Sequence, residues 1–275
     1  MDITQIDPKG MLVTLKLKAW RPAVTDRKIG TEVAVNKHAN ICAGRYSRLI
    51  FDPADFQAVN EAVHSIRSIH KNRTLPWTDK SGDNKKARIL PYKSYLKYQH
   101  EINTSINVLN TAVENTVVNQ YDELVKSAAP FLGDMFNADD YPKVEEVRGK
   151  YSCVVDYKPL PIDDITEKVQ AQMKLAMCDV WARLQSVVAR TAEKLHSGHF
   201  GTKSAQALID SIDSVLSLVP DLNLTDDPAV DEFVQKIKSD LTFYTATQLK
   251  GDPTACKVVA DKADDILSQM AQFTS

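Results

Sequence analysis

The residues best suited to chemistry lie between Ile66 and His100. Nine cations, Arg67, Lys71, Arg73, Lys80, Lys85, Lys86, Arg88, Lys93 and Lys97, stand there against only Asp79 and Asp83, with Trp77, Tyr92, Tyr95 and Tyr98 interleaved. Ammonium and guanidinium groups neutralise phosphates and release counterions, while flat rings stack on unpaired bases; together they hold single strands with little sequence preference. The candidate DNA-binding residues are therefore Lys71, Arg73, Trp77, Lys80, Lys85, Lys86, Arg88, Tyr92, Lys93 and Lys97, the cations for phosphates and Trp77 and Tyr92 for bases. Lys16 and Lys18 could extend the same surface. Each assignment has a plainer competitor. Tyr95 and Tyr98 lie seven and four positions before Ile102 and could continue an apolar stripe into a core; Trp77 could anchor a packed loop; Lys85, Lys86 and Arg88 could be a solvated turn.

Catalytic and metal chemistry find little support. The chain has no GxxxxGK[ST] phosphate loop, no GxGxxG, no HExxH and no GxSxG. The acidic pairs Asp139-Asp140, Asp163-Asp164, Asp226-Asp227 and Asp264-Asp265 are adjacent in sequence, so on a helix they diverge by about 100° and suit helix starts better than a two-carboxylate site. Four cysteines, Cys42, Cys153, Cys178 and Cys256, are scattered without CxxC or finger spacing. His196 and His199 are three apart but lack a companion ligand pattern. The expectation is no catalytic residue, no metal and no cofactor.

The elements that must position the basic segment can be read from periodicity. Residues 11–20 alternate Val13, Leu15, Leu17 and Ala19 with Thr14, Lys16 and Lys18, a half-buried strand with one cationic face. A short helix is expected at 31–40 and an extended segment at 47–51. Asp52-Pro53 opens a helix through about His70, carried by Phe56, Val59, Val63, Ile66 and Ile69. Residues 71–91 read as an exposed loop or hairpin. From Tyr92 to about Ala129 no proline or glycine occurs, and Ile102, Ile106, Leu109, Val113, Val117 and Leu124 predict one helix of about 57 Å. Pro130, Gly133 and Pro142 break the chain before a short helix at 144–149 and a strand at 151–157. A second long helix is expected from 163 to 196, able to pack antiparallel to the first, and three more over 202–219, 228–249 and 253–273.

The 275 residues, 43% hydrophobic, suffice for one large domain or two intimately packed ones, and no apolar run is long enough to span a bilayer. No secretory signal is evident at the start, so a cytoplasmic location is expected. The net charge of −2 conceals a division. Residues 1–100 hold 18 Lys+Arg against 9 Asp+Glu, or +9, and residues 101–275 hold 16 against 27, or −11. That asymmetry points to a polyanion partner, or to two parts that neutralise each other.

One stretch, residues 132–162, carries a resemblance. LGDMFNADDYP, followed by a short helical segment, a Tyr-rich strand and a Pro-x-Pro exit, resembles the single-stranded-DNA-binding RNA polymerase cofactors of podoviruses that transcribe middle genes with their own polymerase. It covers about one-ninth of the chain. The resemblance implies a fold unlike the OB barrel, binding to locally unwound promoters and recruitment of the phage polymerase; it brings no catalytic residue and no DNA-contact motif.

These readings converge on a mainly α protein with a small β element (α+β), its long amphipathic helices packed as an elongated helical body rather than an OB-fold. A basic N-terminal region over 1–91 would pack with an acidic helical region over 92–275. The function expected is non-enzymatic single-stranded DNA binding in bacteriophage transcription, with phage RNA polymerase as protein partner, no membrane partner and scope for a homo-oligomer. The alternative is a helical structural or adaptor protein of a phage that oligomerises without binding nucleic acid.

Overall fold

A computed structural model of the chain describes residues 9–78, 86–160, 167–198 and 201–273. Among these it is mainly α, with ten α-helices and a small antiparallel sheet. No described helix is long and apolar enough to cross a membrane. The chain forms two compact units: one comprises residues 1–15, 70–99 and 155–275, the other 16–69 and 100–154. Position 91, where a basic N-terminal region is expected to give way to an acidic helical one, lies inside the 70–99 segment of the first unit.

Strand β1 (Gly10–Lys18) pairs through its first residues, in the first unit, antiparallel with β5 (Arg88–Pro91), Leu12 opposite Ile89. The two-residue β4 (Leu75–Pro76) pairs with the other side of β5, so the segment expected as loop or hairpin is a hairpin. Strand β6 (Ser152–Pro159) completes the order β4-β5-β1-β6. Gly10 is required by its register: a Cβ there would stand 3.0 Å from the Leu90 carbonyl oxygen. Lys16 and Lys18 are exposed on alternate positions of β1, as the period-2 pattern predicts.

Helix α6 (Glu167–His196) forms the spine of this unit. It packs on α7 (Thr202–Leu222) and α10 (Pro253–Met270). Leu184, Val188, Ile212, Val219, Ala260 and Ile266 are all buried in its core. The expected helix over 228–249 is two. Helix α8 (Pro228–Leu241) opens on the Asp227 cap, and α9 (Ala246–Gly251) opens on a capping box in which Thr245 and Gln248 each accept the other's backbone N–H.

The second unit holds β2 (Ala23–Thr25), paired with β3 (Ser47–Leu49), and α1 (Arg27–Asn36), whose start is fixed by the Asp26 carboxylate accepting from Ile29 N–H at 3.1 Å. It also contains most of α2 (Gln57–Asn72), the later part of α3 (Tyr92–Ala112), α4 (Tyr121–Leu132) and α5 (Val144–Gly149). The single long helix expected from Tyr92 is interrupted by a π-turn, Val113–Val118. Its cause is legible in the stripe. Leu109, Val113, Val117 and Tyr121 are all buried and all four apart, and each four-residue step overshoots a 3.6-residue turn by about 40°. Three steps would swing the stripe about 120° off the core; a wider turn, closed by Asn119 N–H to the Glu114 carbonyl at 2.9 Å, absorbs the excess residue. Pro130 lies inside α4 without ending it, and Gly133, at φ 53°, does so.

Candidate nucleic-acid interface

The eight described candidate residues fall in the first unit, and the structure sorts them into four groups. Lys80 and Lys85 lie outside the described residues.

Trp77 does not present a ring to a base. Only 7% exposed, it follows the last residue of β4 and belongs to the core that includes Leu75, Ala87 and Ile89. A two-residue strand leaves it facing the interior of its own unit. Its indole N–H finds no partner among the described residues. Tyr98 is likewise core: wholly buried, its hydroxyl lies 2.9 Å from His70 Nδ1. Burial lowers the His70 pKa to about 4, with the nearby Arg88 charge contributing in the same direction.

A second group is committed to carboxylates from the acidic half. Arg73 donates to Asp221 at 3.2 Å and Lys97 to the same oxygen at 2.6 Å. Lys93 shares Asp226 with Lys9, and these two hydrogen bonds hold that carboxyl below its ordinary range. Both lysines of the segment nevertheless remain about half exposed.

The third group is built around the end of α2. Arg88, projecting from β5, donates from Nε to Thr74 Oγ1 at 2.6 Å and from Nη2 to the Thr74 carbonyl at 3.0 Å. Arg183, from α6, donates to the carbonyls of Asn72 at 2.7 Å, Thr74 at 2.9 Å and Lys71 at 3.2 Å. These are orphan acceptors at a helix C-terminus, and two guanidinium forks satisfy them. Burial and the neighbouring Arg183 charge pull the Arg88 pKa down, while Asp179, bonded to Arg183 at 2.8 Å, pushes it up. Lys71 itself is exposed.

The last group is accessible. Lys86 is exposed in the turn before β5, and Tyr92, the first residue of α3, is 52% exposed. Leu96, one turn on, is exposed as well, and Tyr95 packs edge-on to Tyr157 of β6 with ring centroids 5.8 Å apart. The opening of α3 thus buries Ser94 and Tyr98 while displaying Tyr92, Lys93, Leu96 and Lys97.

Arg183 and Arg190 escape a reading by charge density because they stand in the acidic half. Their signal is helical spacing: Asp179, Arg183, Ser186, Arg190 and Lys194 recur at intervals of four, three, four and four, one polar stripe along α6. The acidic pairs separate, as adjacency predicts: Asp226 binds lysines while Asp227 caps α8, and Asp264 meets His196 Nε2 at 2.8 Å while Asp265 accepts from Gln269. Asp163, Asp164 and His199 lie outside the described residues, among which no group of His, Cys, Asp or Glu is arranged to hold a metal. No protein-family model, no curated protein and no solved structure matches this chain.

Proposed function

We propose that this chain is a non-enzymatic single-stranded-DNA-binding protein of a bacteriophage, acting in transcription by assisting the phage RNA polymerase at unwound promoters. The observation that carries the DNA-binding part is the outward face of the first two turns of α3, where the exposed ring of Tyr92 accompanies the half-exposed Lys93 and Lys97. An exposed ring stacks on any base, and the half-exposed Lys93–Asp226 pair holds its partners by little, so a phosphate can displace Asp226. The polymerase role rests on the resemblance of residues 132–162, whose expected short helix and strand correspond to α5 and β6.

The test is a fluorescence-anisotropy titration with single- and double-stranded oligonucleotides at several salt concentrations. Tighter binding to the single strand is expected, its log affinity falling by about 0.7 per neutralised phosphate for each unit of log salt. Tyr92→Ala should weaken it. Failure to bind either oligonucleotide at low salt refutes the reading.

A second reading has its own observation. Asp221 and Asp226 together take up Arg73, Lys97, Lys9 and Lys93, so much of the basic excess is spent inside the first unit, as it would be in a helical adaptor protein of a phage. Native mass spectrometry separates the two: oligomers without oligonucleotide binding favour the adaptor.

A further inference from the structure

The strongest unassigned feature is a groove of about 450 Å³ in the first unit, lined by α6, α7 and the end of α2. Four cations line it, Lys71, Arg88, Arg183 and Arg190, against one carboxylate, Asp179. Hydroxyls of Ser186, Ser211 and Ser214 lie on the same walls. Folding gathers these charges from both halves of the chain, Lys71 and Arg88 from the basic one and Arg183 and Arg190 from the acidic one, into one concavity with three excess positive charges. Such walls focus field and favour an anion.

The four cations are not equivalent. Arg88 and Arg183 are held by the α2 carbonyls, so their charges are fixed in place with little rotamer freedom left to lose. Among the described residues, the Lys71 ammonium and the Arg190 guanidinium have no carboxylate partner, and both side chains are exposed. They are the arms of the site left open to a ligand. Arg190 in particular offers a planar donor fork, the geometry that grips phosphate oxygens two at a time.

The groove also continues. A second concavity shares Val187, Arg190 and Ser211 with the first and extends along α6 and α7 to Lys194, Ser197 and Ser204, with Glu193 as its acid. From Asp179 to Lys194 the helix rises about 22 Å, which suits a chain of phosphates better than a single one.

We infer that the α6–α7 groove is a track for the phosphodiester backbone of a single strand, with Lys71 and Arg190 as its direct phosphate ligands and Arg88 and Arg183 as fixed background charge. This rests on the DNA-binding reading above and moves most of the phosphate contacts from Lys93 and Lys97 of α3 to the groove between α6 and α7. Serine hydroxyls would donate to the same oxygens.

The test uses the full chain and three proteins: wild type, Arg190→Glu, and Lys28→Glu, a reversal of the same size at an exposed position of the other unit. Fluorescent oligo(dT) is titrated at several salt concentrations, and inorganic pyrophosphate is added separately in a thermal-shift assay. Arg190→Glu should weaken oligo(dT) by about tenfold or more and reduce the salt slope by about 0.7, while Lys28→Glu matches wild type. If wild type binds oligo(dT) and the two variants are indistinguishable, the groove is overturned and the function stands. If wild type ignores oligo(dT) but pyrophosphate raises its melting temperature, an effect absent in Arg190→Glu, the groove is upheld as an anion site and the DNA reading falls. No response to either ligand overturns both.

Discussion

His70 offers the sharpest quantitative check on the structure, because its environment penalises one protonation state strongly. It lies in the last turn of α2, 8% exposed, with Nδ1 bonded to the wholly buried Tyr98 hydroxyl and the Arg88 charge nearby. Helix-end carbonyls would favour an imidazolium by about 0.3 to 2 kcal/mol. Burial opposes it and wins, bringing the pKa from 6.5 to about 4. That difference of 2.5 units is worth about 3.4 kcal/mol at 1.36 kcal/mol per unit. Since the folded form resists the proton that the unfolded form accepts, stability falls as pH drops below 6.5 and the loss levels off below pH 4. At pH 5 the unfolded imidazole is 1.5 units below its pKa, so about 2 kcal/mol of the loss is already present. Urea denaturation of wild type and His70→Asn at pH 7 and pH 5 isolates it, since an amide at that place keeps a polar atom for Tyr98 but does not titrate. The gap in stability between the two proteins should change by about 2 kcal/mol over this range in favour of the variant, carboxylate effects cancelling. Parallel pH profiles would refute a buried neutral His70, as would an NMR titration placing every histidine near 6.5.

Three other substitutions follow from the same contacts. Trp77→Ala should destabilise the chain by about 3 to 5 kcal/mol in urea melts, the cost of emptying a large core position, whereas a stacking residue would fold normally and lose only DNA affinity. Arg183→Ala strips the carbonyls of Asn72 and Thr74 of a charged donor and leaves Asp179 unpaired, so a loss of about 2 to 4 kcal/mol is expected by the same assay. Thr245→Ala removes the capping box of α9 and should cost about 1 kcal/mol, with faster hydrogen exchange at the Gln248 amide as its local sign.

What the sequence disclosed depended on whether the deciding interaction was local. Helix starts at Asp52, Asp227 and Asp252 are legible because a carboxylate bonds an amide two residues on, and α5 emerges at the residues expected. The break between α8 and α9 was legible too, in the Thr245–Gln248 spacing, but an apolar stripe running through it masks the signal. The π-turn lies one step further away. Four-residue spacing is compatible with a straight helix until the core on one side demands that every member stay buried, and that demand comes from packing. Trp77 shows the limit most clearly: a tryptophan in a basic, proline-bounded stretch reads as exposed, and only the pairing of Leu75 with Ile89 across β4 and β5 turns it inward.

Charge bookkeeping by sequence position fails for a related reason. The +9 of residues 1–100 is not all free charge, because Asp221 and Asp226 are folded onto Lys9, Arg73, Lys93 and Lys97, and those exchanges are internal to one unit. Conversely, the −11 of the remainder conceals two arginines and a lysine on one stripe of α6, which meet Lys71 and Arg88 only because β5 and the end of α2 pack beside that helix. A pair of opposite charges far apart in sequence cancels when folding joins them, and a cluster of like charges accumulates when folding gathers them; neither outcome alters the sum. The quantity that decides whether a polyanion binds is therefore the local excess in a concave, carboxylate-poor site, and here that excess is assembled from cations of both halves.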